Sequence, residues 1–383
     1  MAGTQRQKMK IGINLLQYTD VQGIETFAWN ILGNLPLRDD DEIFLFTNQK
    51  SKQIFRGIDP RFKIINRHFP ILNSLTLTFF EQFCLPIKLK KHKIDLLFCP
   101  SLSGPWFFRR KIMTIHDLAF KRFREESKFI PRLYLYGALL SAKYFSLAVA
   151  TVSEFSKQEL ISLAGINPKK ITVISEGVPE TAAMTEKENA EKILEKFNLS
   201  GHKFFIYIGN VRPRKNLPTT LKAFKKFGLD YSEYYFVLAG KRNHTLTKLE
   251  ETIKKIGISD KVILTGFISD QEKSALLSSA TALIFVSLYE GFGLPVLEAQ
   301  SLGVPVLASS AAALPEIAGN AALFANPNDE NDIALKMKKL AEDKAISSEL
   351  ITMGKKNITR YSWKSGAESL MKLFYNYENS SNK

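Results

Sequence analysis

The chain has 383 residues, of which 45% are hydrophobic and 24% charged, as in a folded protein of two domains and unlike a disordered or fibrous one. Its net charge is +15, and the excess is uneven: residues 1–180 hold 26 basic and 16 acidic residues, residues 181–383 hold 27 and 22. We therefore expect the first half to meet an anionic partner, which the charge alone leaves open as nucleic acid, a membrane surface or a phosphorylated substrate.

Targeting and redox signals favour a cytoplasmic protein. The two cysteines, Cys84 and Cys99, lack a metal-binding spacing and are too few for a disulfide framework. The first ten residues, MAGTQRQKMK, have no apolar core that would make a signal peptide. The most apolar window, 133–152, carries Lys143 near its middle, which favours a buried helix leading into a strand over a transmembrane helix.

Short apolar runs alternate with helix-period segments along the whole chain. In the first half we predict strands and two helices: strands at 10–16, 42–47, 63–66, 95–100, 111–117 and 147–153, and helices at 23–35 and 156–165. In the second half the same alternation gives strands at 204–210, 234–240, 261–268, 282–287 and 304–309, and helices at 216–227, 271–280 and 296–303. Continuous apolar strands separated by helices indicate parallel sheets covered on both faces.

A polar, helix-forming stretch at 177–200 divides the chain into two similar halves. We predict an α/β fold of two doubly wound Rossmann-like domains, residues 1–180 and 181–361, which face each other across a cleft. Ligands of such sheets bind beyond the carboxyl ends of the strands, so the loops at those ends are the candidate sites.

The loop after the strand at 282–287 carries the strongest signal, in the sequence SLYEGFGLPVLEA (287–299). Pro295 suits the first turn of a helix, and Gly291 and Gly293 allow backbone N–H groups to approach an anion at that helix end. Glu290 and Glu298 flank this anion site, and carboxylates accept hydrogen bonds from vicinal hydroxyls. The pattern predicts binding of a nucleotide sugar, and the alternative is an ordinary capped helix.

The loop after the strand at 204–210 is basic and reads YIGNVRPRKNL (207–217). Arg212, Arg214 and Lys215 place three cations within four residues, at the same expected edge of the sheet as Glu290. Such cations bind phosphate oxygens. The alternative is a solvated basic turn.

Two weaker candidates lie in the first half. His116 follows the strand at 111–117 and could donate to a sugar hydroxyl or carry a proton, although a lone histidine is more often structural. Gly23 opens the first helix, where a pyrophosphate could meet free N–H groups, but the dinucleotide fingerprint is absent. The Asp-x-Asp in DDDE (39–42) falls in a polar turn and is interpreted as a solvated loop.

Together these motifs resemble the retaining family 4 glycosyltransferases of the GT-B fold, from about residue 10 to 380. The segments that carry the resemblance are IHD (115–117), TVSEFSK (151–157), GNVRPRKNL (209–217), EGFGLPVLEA (290–299) and ALPEIAGNAALFANP (313–327). The resemblance also implies that residues 362–383 form a C-terminal helix that packs back on the first domain.

The resemblance assigns catalytic roles to four residues. Glu290 would hold hydroxyls of the donor sugar, and Arg214 and Lys215 would neutralise the departing diphosphate. His116 would lie by the transferred sugar. It further implies a donor-binding set in which Glu298 holds the ribose, Gly266 and Phe267 lie near the base, and loop backbone grips the sugar and phosphate: Gly23, Asn210, Gly266, Phe267, Gly291, Phe292, Gly293, Leu294 and Glu298.

The chain departs from the family pattern at two positions. Asn210 stands where many members carry an arginine, and Arg214 would then supply the missing charge. Glu176 stands where members often carry an asparagine, and the resemblance gives this glutamate no role.

The implied activity is retaining transfer of a hexose, mannose from GDP-mannose, to a glycan or polyprenyl-linked acceptor in surface polysaccharide or lipopolysaccharide synthesis. No metal or other cofactor is required, because the basic loop supplies the charge. The alternatives are a UDP-sugar-dependent transferase of the same fold and a non-catalytic two-lobed protein that binds a sugar or an anion. Nucleic acid is not expected as a partner, since no recognised nucleic-acid-binding module is present.

Two stretches of the first half place aromatic residues beside basic ones: FPILNSLTLTFFEQFCLPIKLKKHK (69–93) and WFFRRK (106–111). They suit a lipid-phosphate acceptor and peripheral attachment to the anionic inner face of the cell membrane. The alternative for 69–93 is a core helix followed by a solvated basic turn.

Overall fold

The computed structural model describes residues 9–18, 23–66, 74–126, 128–178, 187–241 and 244–380. It divides into two compact units. The first unit comprises Met1–Glu176 and Ser362–Lys383, and the second comprises Gly177–Tyr361.

The first unit is built on a parallel sheet with the strand order β3-β2-β1-β4-β5-β6-β7. Its strands are β1 (Lys10–Leu15), β2 (Glu42–Thr47), β3 (Phe62–Asn66), β4 (Leu96–Cys99), β5 (Lys111–Thr114), β6 (Ala148–Thr151) and β7 (Ile171–Val173). The strand order reverses between β1 and β4, which is the topological switch point of a doubly wound sheet.

Helices cover the sheet of the first unit: α1 (Gly23–Gly33), α2 (Gln49–Ile54), α3 (Ser74–Phe79), α4 (Leu85–Lys91), α5 (Ala119–Arg122), α6 (Phe129–Phe145) and α7 (Glu154–Ser162). A π-helical turn, Phe80–Cys84, joins α3 and α4 into one continuous helical segment. α7 begins where the sequence provides a cap, because the Ser153 side chain accepts from the backbone N–H of Ser156.

The second unit repeats the architecture with a parallel sheet of order β10-β9-β8-β11-β12-β13. Its strands are β8 (Lys203–Ile208), β9 (Tyr234–Ala239), β10 (Val262–Gly266), β11 (Ala282–Phe285), β12 (Val306–Ser309) and β13 (Leu323–Ala325). Its helices are α8 (Lys187–Lys196), α9 (Leu217–Phe227), α10 (His244–Ile256), α11 (Asp270–Ser279), α12 (Leu294–Ser301), α13 (Leu314–Ala318), α14 (Glu330–Glu342) and α15 (Lys344–Asn357). The switch point here lies between β8 and β11.

The last helix, α16 (Trp363–Ser380), packs on the first unit. Its Phe374 ring lies 5.5 Å from that of Phe98, and the Tyr375 hydroxyl donates to Asp41 Oδ2 at 2.6 Å. The guanidinium of Arg38 lies 3.4 Å from the centre of the Tyr375 ring. Asp41 of the DDDE turn therefore binds the C-terminal helix.

The predicted fold class, two doubly wound Rossmann-like domains, is confirmed by the two parallel sheets. The apolar window at 133–152 forms the end of α6 and then β6, as predicted for a helix leading into a strand. Among the described residues, no helix combines the length and the apolar character needed to cross a membrane. β7 and β13, which are three-residue strands at sheet edges, were not predicted.

Candidate active site

The basic loop begins where β8 ends. Gly209 has φ +145°, a region that favours glycine, and a short 3₁₀ turn follows at Pro213–Lys215. Asn216 has φ +60° and is buried, and its side-chain amide donates to the carbonyl oxygens of Val286 at 3.1 Å and Pro327 at 2.6 Å. These bonds fix the loop after β8 to the loops after β11 and β13.

The acidic loop that follows β11 contacts the basic loop that follows β8, because β8 and β11 are neighbours in the sheet. The backbone N–H of Leu288 donates to the carbonyl of Arg214 at 2.8 Å. Arg214 Nη1 donates to the Tyr289 carbonyl at 3.2 Å and to Glu290 Oε2 at 3.0 Å. Lys215 Nζ donates to the other oxygen, Glu290 Oε1, at 2.5 Å. One carboxylate thus holds both cations at the switch point of the second sheet.

Burial decides the electrostatics of this cluster. The Glu290 side chain is 7% exposed, and those of Arg214 and Lys215 are 16% and 12% exposed. Burial alone would raise the pKa of Glu290, but the charges of Lys215 and Arg214 outweigh it and hold this pKa below its ordinary value. The cluster carries two positive charges and one negative, so it retains a net charge suited to a diphosphate.

Glu298, the second predicted carboxylate, lies in α12 and is also buried. Its Oε1 accepts from Lys273 Nζ at 2.8 Å, and the same ammonium lies 3.2 Å from Asp270 Oδ1. Burial would lower the pKa of Lys273, but Glu298 and Asp270 raise it. Sequence reasoning missed Lys273, because a lysine in a helix looks like an ordinary surface charge.

The backbone between these glutamates forms the start of α12. Gly293 has φ +122°, and a Cβ at this position would lie 2.7 Å from Leu314 Cδ2, so the site requires glycine. The backbone N–H of Ala313 donates to the Glu290 carbonyl at 3.3 Å, and the ring of Phe292 packs on Tyr361 at 5.7 Å. The predicted stretch also includes Gly291 and Leu294. Within it, Gly291 and Phe292 are buried.

Gly266, a predicted donor-binding residue, lies at the end of β10. With Gly209 after β8 and Gly240 after β9, which were not predicted, it borders a small cavity. A Cβ on Gly240 would lie 2.1 Å from the carbonyl oxygen of Gly209, so these backbones approach as closely as glycine permits. Phe267 follows with 68% of its surface exposed, and Lys241 Nζ lies 5.3 Å from its ring centre.

Asn210 follows Gly209 in the basic loop, and its carbonyl accepts from the Tyr207 hydroxyl at 3.1 Å. The second unit therefore brings together Asn210, Arg214, Lys215 and Glu290 in two bonded loops. Within the described part of the chain, no group of three or more His, Cys, Asp or Glu side chains is arranged to hold a metal ion.

His116 belongs to the first unit and is held on both sides of its ring. Its Nε2 lies 3.0 Å from the Pro100 carbonyl oxygen, and its Nδ1 lies 3.6 Å from Glu176 Oε1. The ring of Phe27 meets it edge-on at 4.8 Å, and the Ser156 hydroxyl donates to the His116 carbonyl at 2.9 Å. Glu176, which had no role in the sequence analysis, is therefore the partner of His116.

The pair is electrostatically coupled. Burial would lower the pKa of His116, but the Glu176 carboxylate outweighs burial and raises it. Nε2 carries a proton, because it donates to the Pro100 carbonyl. A second proton, on Nδ1, makes the ring cationic and faces the Glu176 carboxylate. Glu176 thus favours the protonated form of His116 and fixes the plane of the histidine ring.

Gly23 lies at the first residue of α1, and a Cβ there would meet nothing within 4 Å. Residues 19–22, which precede it in the predicted pyrophosphate loop, lie outside the described residues. The role of Gly23 stays a prediction.

We expect Glu176→Gln to lower the pKa of His116, because only the Pro100 carbonyl and Asp117 then oppose the effect of burial. The raised pKa in the wild type contributes stability that is fully present below pH 6.5 and is lost as the pH rises through the folded-state pKa. The variant should therefore lose more stability at pH 5.5 than at pH 8.5. NMR titration of the His116 ring and urea unfolding at both pH values measure the two effects.

Glu154→Gln is the matched control, because Glu154 is exposed in the same unit and forms an ion pair with Lys157. It should leave the His116 titration unchanged. An unaltered His116 pKa in Glu176→Gln would contradict the coupling.

Two family models match the chain: "Glycosyltransferase Family 4" at residues 21–181 and "Glycosyl transferases group 1" at residues 189–357. The O-antigen chain mannosyltransferase B of Escherichia coli is 27% identical over 281 residues, which cover 72% of this chain and 72% of that protein. The serotype-specific mannosyltransferase WbdA of Escherichia coli is 30% identical over 232 residues, which cover 59% of this chain and 28% of that longer protein. Among solved structures, HepE of Anabaena in complex with UDP and glucose has a TM-score of 0.76 at 18% identity and covers 96% of this chain and 99% of its own.

The two Rossmann-like units and the similarity to these proteins define a glycosyltransferase of the GT-B fold. The chain belongs to the family 4 glycosyltransferases and is similar to mannosyltransferases of O-antigen synthesis.

Proposed function

We propose that this glycosyltransferase transfers mannose from GDP-mannose, with retention of configuration, to a glycan or polyprenyl-linked acceptor in surface polysaccharide synthesis. The observation that carries the proposal is the Arg214–Glu290–Lys215 cluster at the switch point of the second sheet. The mannosyltransferases among its relatives support the choice of sugar.

In this proposal the donor diphosphate binds against Arg214, Lys215 and the start of α12, where backbone N–H groups point outward. Glu298 accepts hydrogen bonds from the ribose, and the exposed ring of Phe267 stacks near the base. Glu290 accepts hydrogen bonds from the sugar and keeps the two cations in place before the donor arrives.

The reaction breaks the bond between C1 of the sugar and the β-phosphate oxygen and forms a bond between C1 and the acceptor oxygen. The proton of the acceptor hydroxyl passes to the departing phosphate oxygen on the same face. Arg214 and Lys215 stabilise the negative charge that develops on that oxygen, and because they are already positioned, little reorganisation is needed. We propose that no metal is required, because these cations supply the charge.

Binding of the donor is tested by thermal unfolding with GDP, UDP, ADP, their sugar conjugates, free mannose and phosphate, each without and with EDTA. A ligand at about a hundred times its Kd stabilises a protein by about 2.7 kcal/mol. We expect stabilisation by GDP and GDP-mannose and little effect of the other nucleotides.

Other outcomes of the unfolding experiment would change the donor, the class of protein or the metal requirement. Stabilisation by UDP and a UDP-sugar, and not by GDP, would favour a UDP-sugar as the donor, the alternative that the UDP bound to HepE suggests. Stabilisation by free mannose or phosphate, with no nucleotide effect, would favour the non-catalytic binding protein. A GDP effect that disappears with EDTA would contradict the proposal that no metal is needed.

A further inference from the structure

The helical segment made of α3, the π-helical turn and α4 exposes apolar side chains on one side. Phe79, Phe83 and Ile87 are spaced four residues apart and are all exposed, Phe83 by 62% of its surface. The rings of Phe79 and Phe83 contact each other, with their centres 4.9 Å apart. Large apolar residues repeated on an exposed helix face mark an interaction surface.

The inward side of this segment is anchored by a buried carboxylate, Glu81. Its oxygens accept from Asn14 Nδ2 at 2.7 Å, from Gln17 Nε2 at 3.3 Å and from the Tyr134 hydroxyl. Burial raises the pKa of Glu81 in spite of these donors. The exposed side therefore belongs to a helix whose orientation is fixed by hydrogen bonds, and Tyr134 connects it to α6.

The loop between β4 and β5 presents a further aromatic side chain, Phe107, which is 75% exposed. The buried ammonium of Lys111 holds this loop, since it donates to the carbonyls of Pro105 at 3.0 Å, Trp106 at 2.9 Å and Phe108 at 2.6 Å. Burial lowers the pKa of Lys111 to about 8, so the ammonium persists at neutral pH. The loop that carries Phe107 is thus ordered around a buried charge.

This loop is bonded to the helices on either side of it. Gln82 donates to the Gly104 carbonyl at 2.9 Å and accepts from the Trp106 backbone N–H at 2.8 Å. On the side of α6, Ser141 donates to the Trp106 carbonyl at 2.6 Å, and the rings of Phe107 and Phe145 lie 5.3 Å apart. The three segments form one connected surface.

α6 adds a second exposed apolar stripe. Leu133, Leu140 and Tyr144 are exposed and, at spacings of seven and four residues, lie on one face of the helix. α6 contains no acidic residue. We name the surface formed by the exposed sides of α3–α4, Phe107 and α6 the aromatic face.

The charged side chains along α3–α4 and in the loop between β4 and β5 are mostly positive. From Ser74 to Arg110 the sequence has two acidic residues, Glu81 in the buried network and Asp95, which accepts from the Lys10 backbone at 2.9 Å. The exposed cations at the edge are Lys90, Lys91, Lys93, Arg109 and Arg110. An anionic surface complements both the apolar side chains and this rim.

We propose that the aromatic face is a docking surface for an anionic phospholipid membrane, in which Phe83 and Phe107 insert at the headgroup level and the basic rim binds lipid phosphates. A second copy of the chain fits this face less well, because self-association would bring the two basic rims together. The identity of a lipid-linked acceptor rests on the proposed function, but membrane binding is measured without any substrate, so the two proposals can fail separately.

The test is co-sedimentation of the full chain with vesicles of phosphatidylcholine alone and of phosphatidylcholine mixed with phosphatidylglycerol, at low and high salt. We expect binding to the mixed vesicles that weakens with salt. The double variant Phe83→Ser/Phe107→Ser should bind at least about tenfold more weakly. Lys90→Gln/Lys91→Gln should weaken binding about thirtyfold at low salt.

The second unit offers matched controls. Leu229→Ser removes an exposed leucine there, and Lys254→Gln/Lys255→Gln removes two exposed lysines at the end of α10. The controls should bind vesicles like the wild type, and all variants should keep the wild-type response to GDP. Equal vesicle binding by wild type and Phe83→Ser/Phe107→Ser, or equal binding to both kinds of vesicle, would overturn the proposal. So would light scattering that shows a dimer converted to a monomer by the phenylalanine variant, since the face would then join two copies.

Discussion

Replacing Lys215 by methionine should lower kcat for sugar transfer by about 10²–10³, the effect of removing one preorganised charge from a developing oxyanion. Methionine keeps the length and the apolar stem of the side chain, so the fold should be retained although the ammonium, 4.9 Å from the centre of the Phe285 ring, is lost. Glu290 would keep one partner, Arg214. Initial rates against donor concentration, with circular dichroism of the same samples, measure the effect.

Two further variants separate charge from shape. Lys215→Arg keeps the charge and should retain more activity than Lys215→Met. Lys225→Met removes an exposed lysine of α9 in the same unit and should leave kcat unchanged. A folded Lys215→Met variant with a kcat close to that of the wild type would remove this lysine from the reaction.

Glu290→Gln should abolish transfer and also lower the free energy of unfolding by about 3 kcal/mol, because it leaves two mostly buried cations without their carboxylate. The pKa of Glu290 is lowered in the folded state, so its contribution is present above the ordinary pKa of 4.5 and is lost as the pH falls through the folded-state value. The difference in stability between wild type and variant should therefore shrink in acid. Urea unfolding across pH tests both statements.

A diphosphate should reverse part of this loss, since its oxygens can satisfy the cations that Glu290 no longer holds. We expect inorganic pyrophosphate to stabilise Glu290→Gln more than the wild type. Glu330→Gln is the control, because Glu330 pairs with Lys226 at the surface, where ion pairs contribute little. Unchanged stability of Glu290→Gln at neutral pH would mean that the cluster is not electrostatically coupled.

The sequence was sufficient for the architecture because buried parallel strands are continuous apolar runs. β4, β5, β6, β11 and β12 are buried at every residue, and each was predicted. A strand of three residues at a sheet edge, such as β7, has too short a run to be distinguished from a loop.

For the site, the sequence predicted which residues lie at the strand ends but not how they pair. Arg214, Lys215 and Glu290 were each found from their loops, yet their mutual contact depends on Asn216, whose side chain binds the Val286 carbonyl 70 positions along the chain. Glu176 escaped prediction because its partner, His116, is distant in sequence. Contacts of this kind are set by strand order and loop conformation, which residue types alone do not specify.

At the proposed donor site, the close approach of Gly240 to Gly209 limits how the donor preference could be redesigned. Any side chain at position 240 would collide with the Gly209 carbonyl, so saturation mutagenesis there would return mostly misfolded protein. Phe267 directly follows Gly266 and is exposed, so it should tolerate substitution without disturbing the core. A library aimed at changing the accepted nucleotide should therefore randomise Phe267 and leave the glycines untouched.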